Sequence, residues 1–135
     1  MNPKDLLQLA EEARAASYSP YSDFSVGAAL LAQNGRVFCG CNIENASFSP
    51  TCCAERVAIF KAVSEGVRDF EAIAIVGGHA TTLAPFCSPC GVCRQVLAEF
   101  CSDSLRVVLA DADGSPVELT LGELLPKRFT LNENK

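Results

Sequence analysis

No run of lysine or arginine appears anywhere in the chain. The 135 residues carry 11 basic against 16 acidic side chains, a net charge of −5, with a pI of about 4.8. A global charge of that sign repels phosphate backbones and argues against nucleic acid as the main partner. Residues 1–14, MNPKDLLQLAEEAR, have no apolar signal core, and no later stretch reads as a membrane span. Neither a secretion signal nor a membrane partner is expected, and the default compartment is cytoplasmic. No linker, repeat or low-complexity stretch divides the sequence, so residues 1–135 are expected to form a single domain. Histidine is scarce as well. The lone His79 lies in a glycine-flanked stretch away from the cysteine motifs and reads as a solvated loop residue.

What is present is apolar substance and sulfur. Hydrophobic residues make up 49% of the chain, enough for a packed core. Eight cysteines are many for a protein in a compartment that keeps thiols reduced. Some are therefore expected to bind metal or to catalyse, and the rest to pack. Cys39, Cys41 and Cys101 read as buried and unliganded, and Cys52 as a packing neighbour of Cys53.

Asn2-Pro3 predicts the start of a helix whose apolar face is Leu6, Leu7, Ala10, Ala13 and Ala16. Residues 26–32 and 36–40 read as strands around the turn Asn34-Gly35. Thr51 is expected to cap a helix from about Cys53 to Glu65, stopped by Gly66, with Val57, Phe60, Val63 and the Lys61 stem inward. Residues 71–77 and 105–111 read as buried strands. Between them Ser88-Pro89 opens a helix from Cys90 to Cys101, with Val92, Val96, Leu97 and Phe100 inward. Asp113-Gly114 makes a turn, and Thr120 with Glu123 has capping-box spacing. The order implies a three-layer α/β/α fold, a mixed central sheet of about five strands flanked by helices. Strand–helix–strand units favour parallel neighbours. Both cysteine motifs then fall at helix N-termini, where ligands sit in open α/β sheets.

Cys90 and Cys93 lie one helical turn apart, and Cys53 opens another helix. Three thiolates from these positions suit zinc. Glu55, two residues from Cys53, can stand beside the metal without binding it and carry a proton. Three thiolates and a zinc ion leave a net charge of −1, which helix N-termini, Arg56 and Arg94 could offset by hydrogen bonds to sulfur. Other readings of the cysteines stay open here: a thioredoxin-type redox pair, an iron–sulfur run, a closed four-cysteine zinc site, or a plain buried cluster.

Cys53-Ala54-Glu55 followed by Pro89-Cys90-x-x-Cys93 resembles the established signature of zinc nucleoside and nucleobase deaminases. With YSPYSDFSVGAALL, GCNIENASFSPTCCAERVAIFKAVSEG, SPCGVCRQVLAEF and the C-terminal ELLPKRF, the chain is similar nearly end to end to small, homotetrameric, three-cysteine cytidine deaminases. The resemblance implies one Zn(2+) per chain on Cys53, Cys90 and Cys93, with Glu55 as the proton shuttle and Arg56 bonded to the thiolates. It implies that Phe24 stacks on the pyrimidine, that Asn42 and Glu44 hold the ribose 3′-hydroxyl, and that the backbone at Ala54 helps hold the base. Ala46, Phe48 and Phe129 are implied to reach a neighbouring subunit's site, so that sites lie at subunit junctions. The family often has tyrosine where this chain has Phe48. The implied reaction is hydrolytic deamination of cytidine and deoxycytidine to uridine and deoxyuridine, with release of ammonia, in pyrimidine salvage. A deaminase of another cytosine-bearing nucleoside, such as an antibiotic, and a non-catalytic zinc or thiol redox protein are the alternatives.

Overall fold

The computed structural model describes residues 1–131. Asn2 caps the first helix, α1 (Pro3–Ala13), by accepting from the Asp5 N–H at 2.9 Å. A short 3₁₀ turn, Arg14–Ala16, follows. The antiparallel pair β1 (Ser25–Ala32) and β2 (Val37–Cys41) turns at Gly35, whose φ of 90° suits glycine. Then come α2 (Ala54–Ser64), β3 (Phe70–His79), the two-residue β4 (Thr82–Leu83), α3 (Gly91–Phe100), β5 (Arg106–Ala110), β6 (Pro116–Thr120) and α4 (Leu121–Leu124). Thr120 and Glu123 form the expected capping box on α4. Among the described residues, no helix is long and apolar enough to cross a membrane.

The sheet runs β2-β1-β3-β5-β6, with β4 paired to the end of β3, so it has six strands against the five or so expected. Alternate residues along β1 feed two separate cores. Ala28, Leu30 and Ala32 join α2 and α3 on one face, while Ala29 and Leu31 join α1 on the other. Apolar residues on both faces of one strand require helices on both sides, and the three layers follow. Among the strands of the described residues, only β3 and β5 are parallel neighbours. β2 and β3 are both antiparallel to β1, which lies between them, so the expectation of parallel neighbours fails for the unit containing α2.

Several other expectations are corrected. The buried side of α2 is Ala54, Glu55, Ala58, Ile59 and Ala62, while Phe60 is 47% exposed and Lys61 is exposed too. Apolar and charged residues are both spread around this helix, so periodicity does not select a face. Close approach does. A Cβ on Gly40 of β2 would lie 2.4 Å from the Ala54 carbonyl oxygen and 2.6 Å from the Ala58 nitrogen. The alanine side of α2 fits against that bare backbone. On α3 Leu97 is buried as expected and Val96 and Phe100 pack half-buried against the same core, but Cys93 and Ala98 are buried too and Val92 is exposed. Ala16 is exposed because α1 has already given way to the 3₁₀ turn. Cys53, not Thr51, is the N-cap of α2, and the Thr51 hydroxyl accepts instead from the Asn45 N–H. Cys101 is buried as expected, whereas Cys39 and Cys41 are half-buried.

Candidate active site

The two cysteine motifs end as helix caps. Cys53 is the N-cap of α2 and Cys90 the N-cap of α3, both in extended backbone, and the Cys90 sulfur accepts from the Cys93 N–H at 3.4 Å. Cys53 Sγ and Cys90 Sγ are 3.7 Å apart, and all three sulfurs lie within 4.8 Å of one another. Zinc held tetrahedrally by sulfur at about 2.3 Å needs sulfurs about 3.8 Å apart. The cluster fits a zinc ion, and helix N-termini favour the thiolate charge it needs. Cys52 and Cys87 are not part of it. Cys52 pairs its backbone with Ile43 in an isolated bridge, which fixes the chain just before Cys53.

The electrostatics are those of a charged pocket with one cation. The Cys93 thiol, followed by the Arg56 guanidinium, holds Cys53 well below the ordinary thiol range against the opposing effect of burial. The same contact with Cys53 pushes Cys93 up. Arg56 Nη2 lies 3.5 Å from Cys53 Sγ and 3.4 Å from the Thr51 carbonyl, and its Nε is buried without a hydrogen-bond partner. Arg94 does not reach sulfur as expected. Its three nitrogens donate to the Pro89 carbonyl (2.7 Å), the Leu124 carbonyl (2.7 Å) and the Ser88 hydroxyl (2.9 Å). It ties the turn before Cys90 to the C-terminal segment.

Glu55 is 4% exposed in the first turn of α2. Burial pushes its carboxyl up to about 7, with the Cys53 charge adding to the rise and its own backbone N–H opposing it. A carboxyl titrating there is matched to proton transfer near neutral pH.

Glu55, Cys53, Cys90 and Ala54 open on a cleft of about 300 Å³, walled also by Phe24, Val26, Asn42, Glu44, Thr51, Cys87 and Ser88. Asn42 is 9% exposed and holds the start of β1, donating to the Phe24 carbonyl at 2.8 Å while its oxygen accepts from the Val26 N–H at 2.9 Å and from the Ser17 hydroxyl. Glu44 accepts from the N–H groups of Tyr21 (2.9 Å) and Ser22 (3.1 Å) and from the Ser22 hydroxyl. That hydroxyl, first among these, pulls its carboxyl below the usual range. Glu44 also borders a second hollow of about 370 Å³, shared with Tyr21, Ser22, Phe48 and Thr51. Phe48, at φ 62°, stands edge-on to Tyr21 with ring centroids 6.0 Å apart. Ala46 and Phe129 are exposed and line neither hollow.

Two neighbours of this site have a place that sequence reasoning did not assign. Cys87 lines the cleft, and burial raises its thiol to about 11. His79 is exposed as expected but is not a loop residue. It ends β3 and meets the Phe24 ring at 5.1 Å. Its only signal would have been the register of β1 on β3, which pairs Ser25 with Gly78 and so brings Phe24 opposite His79.

Three thiols on two helix N-termini with a buried, raised carboxyl beside them, in a three-layer α/β fold, define a zinc-binding α/β enzyme. Residues 1–110 match the family described as the cytidine and deoxycytidylate deaminase zinc-binding region, and the chain belongs to that family. It is 52% identical over 130 residues to a cytidine deaminase of Sporosarcina psychrophila, covering 96% of this chain and 93% of the relative. It is 50% identical over 133 residues to one of Halalkalibacterium halodurans, covering 98% of each. The crystal structure of a cytidine deaminase from Burkholderia pseudomallei superposes with a TM-score of 0.85 at 45% identity, covering 96% of this chain and all of that one. The chain thus carries one zinc site, formed where the three sulfurs converge.

Proposed function

We propose that the chain catalyses the hydrolytic deamination of cytidine and deoxycytidine to uridine and deoxyuridine, releasing ammonia. The convergence of Cys53, Cys90 and Cys93 beside buried Glu55, in a cleft walled by Phe24, carries this reading. The three sulfurs hold the zinc. When bound, zinc supplies the Lewis acidity that makes water nucleophilic at neutral pH.

The remaining chemistry belongs to side chains of this chain. Glu55 accepts a proton from the attacking water and hands it to ring N3, which makes C4 electrophilic. The water oxygen bonds to C4, and Glu55 then takes the proton of that new hydroxyl and gives it to the amino group, so the C4–N bond breaks as C4=O forms: one water enters and one ammonia leaves. A carboxyl near 7 can take both roles. Phe24 offers the flat apolar face on which a pyrimidine stacks. The Asn42 amide keeps one N–H, and the Glu44 carboxylate keeps acceptor capacity, for the ribose 3′-hydroxyl. The backbone at Ala54 borders the base edge. Arg56 offsets the thiolate charge, and Arg94 supports the Cys90 turn from behind.

Residues 1–135 act as one domain. The exposed aromatics Phe48 (70%), Phe129 (67%) and Phe60 support association into a homotetramer, with Ala46, Phe48 and Phe129 completing a neighbour's site. A site of free thiolates suits the reducing cytoplasm.

Metal analysis paired with loss of cytidine absorbance tests the reading. Native protein is expected to hold about one zinc per chain and to turn over cytidine. Glu55→Gln keeps the zinc and the fold and loses about 10²- to 10⁴-fold in kcat. Zinc without turnover of cytidine or deoxycytidine by the native chain would overturn the assignment, and full activity in Glu55→Gln would remove the shuttle.

A further inference from the structure

His79 is exposed, yet its ring is fixed on several sides. Its Nδ1 lies 2.7 Å from the Asp23 carbonyl oxygen, so Nδ1 carries the hydrogen and donates it. Its ring stands at 87° to that of Phe24 with centroids 5.1 Å apart, the perpendicular geometry that aromatic pairs favour. Arg14 grips the backbone on either side of it, donating to the carbonyls of Gly78 (3.1 Å) and Ala80 (3.2 Å), while its Nε holds the Ser25 carbonyl at 3.0 Å. One guanidinium therefore locks the end of β3 to the start of β1, where the two rings meet.

The hydrogen bonds of Phe24 fix its backbone and not its ring, its N–H donating to the Ser22 hydroxyl at 3.0 Å. Asp23 before it is in the left-handed region, at φ 57°, and the Asn42 amide fixes only the Phe24 carbonyl. Beside the ring is Gly77, where a Cβ would come within 2.8 Å of Phe24 Cε1 and 2.6 Å of Cys87 Sγ. Gly77 makes room for the ring but has no side chain to restrain it. Of the aromatic contacts in the described residues, only the one with His79 involves Phe24.

We propose that His79 is a positioning residue for substrate binding: its imidazole, oriented by the Asp23 carbonyl, sets the plane in which Phe24 meets the pyrimidine. This rests on the reading of Phe24 as the stacking residue. The ring contact is the active element, and the hydrogen bond serves to aim the imidazole. His79 touches no reacting atom, so its loss is felt in KM and not in kcat.

The test uses the zinc-loaded enzyme, with cytidine kinetics and thermal melting of each variant. His79→Ala is expected to raise KM about 3- to 10-fold with kcat within twofold and an unchanged Tm. His79→Phe keeps a ring without the donor and should recover most of the KM. His79→Asn keeps a donor at the Nδ1 position without a ring and should not. Phe24→Leu should raise KM by itself, and adding His79→Ala to it should cost nothing further. An unchanged KM in His79→Ala alongside a raised KM in Phe24→Leu overturns the proposal and leaves the stacking role intact. An unchanged KM in Phe24→Leu overturns the stacking role and the proposal with it. Rescue by Asn but not Phe, or an undiminished His79→Ala effect in the Phe24→Leu background, overturns action through the ring.

Discussion

Cys53 Sγ stands 3.7 Å from Cys90 Sγ, although 36 residues separate the two in the chain and each caps a different helix. No disulfide joins them. Two N-capping sulfurs brought that close repel as thiolates, and a shared cation is what relieves the repulsion.

Removing the cation should therefore loosen the fold as well as stop turnover. Chelation at neutral pH is expected to lower Tm by about 5 °C or more, because a ligand bound only by the folded state stabilises by mass action. Cys90→Ala should show the same lower Tm without chelator and far less than one zinc per chain. Calorimetry with metal analysis checks this, and an unchanged Tm on complete zinc removal would contradict it.

The seating of α2 on β2 is expected to be intolerant of a single methyl. Gly40→Ala places a Cβ 2.4 Å from the Ala54 carbonyl oxygen and 2.6 Å from the Ala58 nitrogen, both backbone atoms that cannot swing away. The loss should be about 2–3 kcal/mol in urea unfolding. Activity should fall too, because the displaced turn carries Cys53 and Glu55. Gly91→Ala, whose Cβ meets nothing, is the control.

Arg94 links Ser88, Pro89 and Leu124 through three charge-assisted hydrogen bonds. Arg94→Ala is expected to cost about 2–4 kcal/mol and to speed loss of zinc to a chelator. Arg94→Lys, a single point donor, should recover only part of either effect. An unchanged zinc-loss rate would mean that the turn before Cys90 needs no such support.

Burial raises the Cys101 thiol from 9.0 to about 12, and nearby Arg128 opposes the rise. Below pH 9 the thiol is neutral whether the chain is folded or not. Between pH 9 and about 12 the unfolded chain loses this proton and the folded one keeps it, so stability falls as pH rises. The full window amounts to about 4 kcal/mol. Cys101→Ala should flatten the decline in denaturant midpoint over that range, and an equally steep decline would refute the assignment to Cys101.

Most short-range signals in the sequence held, the Thr51 cap being the exception. Asn2-Pro3, Asn34-Gly35 and the Thr120–Glu123 box each act within a few residues, and each forms as its composition predicts. The metal chemistry was legible for the same reason: Cys90 and Cys93 share one turn, and Glu55 keeps its spacing from Cys53 along one helix start. The residues proposed to bind the nucleoside were legible only through family resemblance.

Tertiary structure alone decided whatever depends on which surfaces meet. Helix α2 mixes apolar and charged residues all round, so the bare backbone of Gly40, on another element, chose its alanine side and turned Phe60 outward. Strand β3 pairs antiparallel on the other edge of β1 and so places β1 between β2 and β3, a choice that no local pattern records. That same register carried His79 to Phe24, and the fold of the C-terminal segment gave Arg94 a carbonyl in place of a sulfur. Sequence by itself determined the chemistry, because reactive groups are carried by residue types at short spacings. Only the fold determined their neighbours, because packing and strand register are settled between segments far apart in the chain.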